Sequence, residues 1–172
     1  VSSWRRINDN AVPARAKITG AYINSALIKT DAMMNGFDEA IVLTQEGHVS
    51  EGSAENLFIV RDGKLVTSPV TDDILEGITR TTLMELAHKE LGLETVERPI
   101  DRTELYVADE AFFCGTGVQI AAISEIDHRP VGTGKIGPIV TQLRDLYFSI
   151  ARGEREEYRD WVCPVYAQVP AV

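Results

Sequence analysis

Asp62-Gly63 stands between two short runs, Leu57–Arg61 and Lys64–Thr67, and it narrows the choice of fold more than any other dipeptide in the chain. Both central positions of a two-residue hairpin turn need positive φ, which aspartate followed by glycine accommodates well. The flanking runs therefore read as antiparallel strands, and Ser68-Pro69 ends the hairpin. After the loop Thr71–Glu76 the pattern turns helical. From Ile78 to Leu91 one face carries Leu83, Leu86, Ala87 and Leu91, with Gly92 as the C-terminal stop.

The other elements can be placed around this unit. Residues 1–16 are polar and irregular and read as a linker or lead-in, with Trp4 packed on the body. Thr19 to Gly36 is predicted helical from Tyr22, Ala26, Met33 and the apolar residues between them. Glu39–Thr44 reads as a buried strand, Glu46-Gly47 as a turn, and His48–Glu51 as the start of the next strand. Thr95–Ile100 is predicted as a strand, Asp101–Asp109 as a short helical connector, and Glu110–Cys114 as a strand entering Gly115-Thr116-Gly117. A longer strand, Gln119–Ile126, precedes a glycine-containing turn region and the helix Pro138–Arg152. In that helix Ile139, Leu143, Leu146, Tyr147 and Ile150 face inward. The expected fold is α+β: a partly closed antiparallel sheet or pseudo-barrel flanked by helices. The expected division is a lead-in (1–16), one main domain (17–153) and a tail (154–172) packed on its surface.

Length and charge remove several functions. With 172 residues the chain can bury a full core. A formal net charge of −9 argues against nucleic acid or an anionic membrane as the main partner. No apolar run approaches the ~20 residues of a membrane span, and with no signal-peptide pattern a cytoplasmic location is expected. Cys114 and Cys163 stand far apart in no metal-ligand spacing, so no metal is expected.

The chemistry gathers around Glu51-Gly-Ser-Ala-Glu-Asn-Leu-Phe58. A carboxylate, a small-residue turn, a second carboxylate and an amide lead into an apolar strand, which can hold Glu51 at its mouth, partly desolvated. Leu75-Glu-Gly-Ile-Thr-Arg80 then opens a helix with a glycine turn and a hydroxyl, the layout of an anion site. A ligand with a protonatable nitrogen at one end and a phosphate at the other would satisfy both, and pyridoxal phosphate is such a ligand. Lys17 lies just before a helix start, where a cation is slightly out of place. It reads either as a solvated lysine or as a nucleophile with a lowered pKa.

These residues carry a resemblance. Glu51, Ser53, Asn56, Leu57 and Phe58, then Thr67, then Leu75, Gly77, Ile78 and Arg80 resemble the pattern of the class IV pyridoxal-phosphate aminotransferases. The likeness extends upstream through Ala14–Tyr22 and downstream through Phe112–Gly117, and the second carboxylate, Glu55, is most similar to the branched-chain group. The resemblance implies Lys17 as the Schiff-base lysine, Glu51 at the pyridine nitrogen and Tyr22 at the phenolic oxygen. It further implies Leu75 over one ring face and a phosphate cradle from the N–H groups of Ile78 and Thr79 with the Thr79 and Thr116 hydroxyls. The Thr116-Gly117 turn would meet the substrate carboxylate, although many relatives carry alanine at the position of Gly117. Glu55 is expected to be paired structurally.

The implied reaction is transamination between a branched-chain amino acid and 2-oxoglutarate, in a homo-oligomer. The same fold admits D-amino-acid or (R)-amine transamination and aminodeoxychorismate lyase chemistry. In the family, a smaller N-terminal domain supplies much of the substrate recognition. The first residue here is Val1, and 172 residues leave no room for that domain. A cofactor-binding large domain that needs a further segment is thus a second expectation, and an exposed apolar patch would go with it. A generic phosphate binder is a third, but it gives Lys17 and Glu51 no shared purpose.

Overall fold

The computed structural model describes residues 1–165. Its strands are β1 (Ile41–Leu43), β2 (Val49–Gly52), β3 (Asn56–Arg61), β4 (Lys64–Thr67), β5 (Thr95–Glu97), β6 (Glu110–Gly115), β7 (Gln119–Ala122), β8 (Glu125–Ile126) and β9 (Arg129–Pro130). The helices are α1 (Tyr22–Met34), α2 (Ile78–Leu91) and α3 (Pro138–Ala151). Asp62 and Gly63 take φ values of 51° and 72°, and Arg61 pairs with Lys64 across the turn. The predicted hairpin is therefore the centre of a five-stranded sheet ordered β5-β4-β3-β6-β7. Only the β4–β5 pair is parallel, joined through α2 as a crossover. Two-stranded ladders β1-β2 and β8-β9 complete a mixed α and β architecture in which helices flank the sheets and, among the described residues, no barrel closes.

The central strands are buried on both sides, and their alternation sorts the core into two layers. Leu57 and Ile59 of β3 join Ala111 and Phe113 of β6 on the face covered by β1, β2 and the connector residue Leu105. Phe58 and Val60 join Phe112 and Cys114 on the other face, under Leu83 and Ala87 of α2 and Val140 and Leu143 of α3. Phe58 and Phe112 are direct cross-strand partners, stacked with ring centroids 5.1 Å apart. Both are fully buried, and such a pair contributes beyond its burial alone.

α2 runs over the predicted residues, with Gly92 left-handed at φ 62° as its cap. α3 follows Gly137, and its first turn is held by the sheet: the Glu110 carboxylate accepts N–H bonds from Ile139 (3.0 Å) and Val140 (2.8 Å). A strand-borne anion thus replaces an N-cap side chain at the positive end of the helix. Val140, Leu143, Leu146 and Ile150 form the buried face of α3, whereas Ile139 and Tyr147 are only half-buried.

Several expectations are corrected. The lead-in is tied to the body: Ser2 N–H donates to the Ile41 carbonyl at 2.8 Å and Arg6 N–H to Leu43 at 2.9 Å, so it runs parallel along β1. Trp4 remains 42% exposed. The helix expected from Thr19 begins as a 3-10 turn, Thr19–Ala21, and becomes α-helical only at Tyr22. Its buried face carries Asn24, Ser25, Ile28 and Ala32, while Tyr22, Ile23, Leu27, Met33 and Met34 stay exposed. Polar Asn24 turns inward because its amide donates to the Arg5 carbonyl at 3.1 Å.

The strand expected over Thr95–Ile100 stops at Glu97, since Pro99 has no N–H to continue a ladder. The Gln119–Ile126 run divides because the Ser124 carbonyl accepts from Val131 N–H at 3.0 Å and folds the chain onto β9. In the tail, a 3-10 helix at Glu156–Trp161 docks through buried Tyr158, whose hydroxyl donates to Glu90 at 2.6 Å. The expected packing of residues 166–172 lies outside the described residues. Among the described residues, no helix is long and apolar enough to cross a membrane.

Candidate functional site

Glu51 lies on β2 and is 2% exposed, deeper than the partly desolvated strand mouth expected from sequence. Its carboxylate is held from several sides. Oε1 faces the Arg6 guanidinium at 2.5 Å, while Oε2 accepts from Asn56 Nδ2 at 3.0 Å and from Leu75 N–H at 3.2 Å. Even so, burial outweighs these attractions and pushes its carboxyl pKa up to about 7. Asn56 also donates to the Leu75 carbonyl at 2.8 Å. One amide thereby fixes both the carboxylate and the loop that leads into α2.

That loop ends at Gly77 in an extended conformation, and α2 has no side-chain cap and no acidic residue in its first turn. By helix geometry the N–H groups of Ile78 and Thr79 lack intrahelical acceptors. Both residues border the same open cavity as Glu51, a space of about 1500 Å³. Thr79 is buried and Ile78 is exposed, so the helix end is anchored on one side and accessible on the other.

Lys17 and Tyr22 enter from the start of α1. The short 3-10 turn between them sets the Lys17 amine over the Tyr22 ring, 5.9 Å from its centroid. Lys17 is exposed towards the cavity, and its charge is near enough to favour ionised Glu51. Thr116 and Gly117, in the β6–β7 turn, form the far wall, and Leu75 lies beside Glu51. All eight residues singled out from the sequence therefore border one cavity. Beneath them Cys114 is buried, with its thiol pushed up to about 12 by desolvation, which leaves it un-ionised and unreactive at neutral pH.

Glu55, expected in a structural pair, has no cation partner among the described residues. The nearby Lys29 is taken by Glu39 at 2.7 Å. Glu55 instead accepts from the Ala54 N–H at 3.0 Å, and burial raises its pKa. Arg6 is the residue sequence reasoning missed, since nothing in a polar lead-in marks it as a site residue. The available signal was indirect: a carboxylate as buried as Glu51 requires a counter-charge. Asn56 was visible in the motif, but not its link to Leu75.

The donor set fits pyridoxal phosphate. It offers a primary amine for an electrophilic carbon, a carboxylate for a basic ring nitrogen, and an uncapped helix N-terminus for a phosphate. Glycine at position 77 is part of this fit, because a Cβ there would lie 2.2 Å from Asn56 Oδ1.

Comparison with known proteins assigns the family. Residues 1–126 match the family model described as amino-transferase class IV. The chain belongs to the class IV aminotransferases. A relative named as a probable branched-chain-amino-acid aminotransferase of Aquifex aeolicus is 52% identical over 96% of this chain and 53% of its own length. The branched-chain amino acid aminotransferase of Thermobaculum terrenum, solved in its pyridoxal-phosphate form, superposes with a TM-score of 0.94 at 48% identity, covering 96% of this chain and 54% of that one. A further branched-chain amino acid aminotransferase, from T.th., is complexed with N-(5'-phosphopyridoxyl)-L-glutamate. It superposes with a TM-score of 0.89 at 45% identity, over 93% of this chain and 54% of that one. This class IV chain thus spans about half the length of the relatives it matches.

Proposed function

We propose that this chain is the cofactor-binding large domain of a pyridoxal-phosphate aminotransferase that moves an amino group between a branched-chain amino acid and 2-oxoglutarate. The observation that carries the reading is the convergence of Lys17, Glu51 and the uncapped start of α2 on one cavity. The names of the relatives support the branched-chain substrates, and the glutamate adduct in one of them supports the acceptor.

Bound there, the cofactor supplies an electrophilic carbon and a ring that accepts electrons from the substrate Cα. Lys17 Nζ is the amine that would hold the cofactor covalently, and it would serve as the base that moves the proton at the substrate Cα. Glu51 would hold a proton at the ring nitrogen. The Tyr22 hydroxyl would donate to the phenolic oxygen, and Leu75 would cover one face of the ring. The N–H groups of Ile78 and Thr79, with the Thr79 and Thr116 hydroxyls, would bind the phosphate. The turn at Thr116 and Gly117 binds the substrate carboxylate. In this reading residues 1–16 are the lead-in, 17–153 the cofactor domain and 154–172 the tail. A homo-oligomer completes the assembly, and the smaller domain of the family provides side-chain recognition.

The test is borohydride reduction after addition of pyridoxal phosphate, with peptide mapping, followed by assay with leucine and 2-oxoglutarate. Label on Lys17 together with leucine-dependent glutamate formation is the expected result. Label scattered over other lysines would overturn the cofactor assignment. Label on Lys17 without turnover would favour a second reading, a cofactor-binding portion that works only with a further segment. The half-length match to the relatives is the observation behind it. Turnover with D-alanine or an (R)-amine instead of leucine would move the chain to another branch of the family.

A further inference from the structure

We propose that Arg6 is a positioning residue for Glu51: by holding Oε1, it keeps the single proton shared between this carboxylate and the cofactor's ring nitrogen on the nitrogen. The inference rests on the cofactor reading above and adds a residue to which that reading gives no part. Arg6 belongs to the lead-in, yet its backbone is fixed to β1 through the 2.9 Å bond to the Leu43 carbonyl. Its side chain is 13% exposed, and the guanidinium meets Glu51 Oε1 at 2.5 Å. The second arm of the fork reaches the carbonyl of buried Ser53 at 3.4 Å.

The pair of carboxylate and ring can share one proton in two ways. Either an ionised carboxylate faces a protonated ring, or a neutral carboxyl faces a neutral ring. Both arrangements are neutral as a pair, but only the first places negative charge beside Arg6. A cation on the far side of Glu51 therefore favours the first arrangement and leaves the second untouched. The bias is needed because burial alone drives the carboxyl towards its neutral form.

The other groups facing Glu51 do not replace Arg6. Asn56 Nδ2 and Leu75 N–H are neutral donors to Oε2. Glu55 opposes ionisation, while Lys17 favours it less than Arg6 does. Cys114, on β6, is un-ionised.

The test compares wild type, Arg6→Gln and Arg6→Lys, each checked for native circular dichroism. In the cofactor-free protein, the Glu51 carboxyl followed by carbon NMR should titrate about one to three pH units higher in Arg6→Gln. In the protein loaded with nitrogen-labelled pyridoxal phosphate, the ring-nitrogen resonance should move from its protonated to its unprotonated position. Arg6→Lys, which retains the charge without the fork, should restore both signals. An unmoved Glu51 titration or an unmoved ring resonance in Arg6→Gln would overturn the proposal. If Arg6→Gln does not fold, Arg6→Lys decides alone: a wild-type Glu51 titration supports the charge effect, and a raised one refutes it. Failure of the cofactor reading is distinguishable, because wild type itself would then lack the Lys17 label while the Glu51 titration would still report on Arg6.

Discussion

Gly77 and Asn56 touch so closely that a single added methyl at position 77 would lie 2.2 Å from the Asn56 side-chain oxygen. Gly77 has φ −67° and ψ 136°, which alanine adopts without strain, so the demand for glycine is one of space alone. Gly77→Ala should displace the Asn56 amide and release both Glu51 and the Leu75 carbonyl. Pyridoxal phosphate affinity is expected to fall by about tenfold or more, with about 1–3 kcal/mol of stability lost. Gly20→Ala, at a position with nothing within 4 Å, is the control for fluorescence binding and urea titrations. Equal behaviour of the two variants would refute the argument.

Burial of Glu51 should leave a signature in the pH dependence of stability. Its carboxyl titrates near 7 when folded, against an ordinary value of 4.5. Between these values the native state binds more protons than the unfolded chain, so this group's contribution falls as pH rises through that window. Glu51→Gln removes the slope. In the cofactor-free protein, the stability difference between wild type and variant should change by up to about 1.4 kcal/mol per pH unit from pH 4.5 to 7. Parallel curves in denaturant titrations across that range would contradict the assignment. The same variant should still bind cofactor but lose most of the rate.

Helix α3 depends on a residue far from it in sequence. Glu110→Ala removes the acceptor for two N–H groups of the first turn and opens space beside Gly137. A loss of about 2–4 kcal/mol is expected, read as a lower urea midpoint with the denaturant slope unchanged. A loss below about 0.5 kcal/mol would mean that water caps the helix equally well.

Lys17→Ala should separate chemistry from folding. The side chain is exposed and has no ion pair among the described residues, so stability should change by no more than about 0.5 kcal/mol. The borohydride label should disappear completely. A variant that retains both label and activity would place the covalent lysine elsewhere.

Elements governed by local chemistry were legible in the sequence. Asp62-Gly63 named its own turn, Gly92 its helix end, and α2 its extent. What stayed hidden depends on partners distant in sequence. The buried face of α1 is partly polar because Asn24 finds the Arg5 carbonyl, a contact no periodicity reports. The Gln119–Ile126 run is apolar enough for one strand, but the bond between Ser124 and Val131 divides it. The site shows the same division: its motif residues could be read, but Arg6 could not, since a lead-in without alternation or helical period carries no strand signal. Glu55, expected to be paired structurally, accepts from the Ala54 N–H, and its neighbouring lysine serves Glu39.

The placement of Arg6 also bears on the order in which the molecule assembles. β3 and β4 meet across two residues, so that hairpin forms early and at little entropic expense. The Glu51 cluster spans much longer loops: Arg6 reaches Ser53 across 47 positions, and Leu75 reaches Glu51 across 24. The polar pocket is therefore expected to close after the sheet beneath it, and substitutions within it should accelerate unfolding far more than they slow folding.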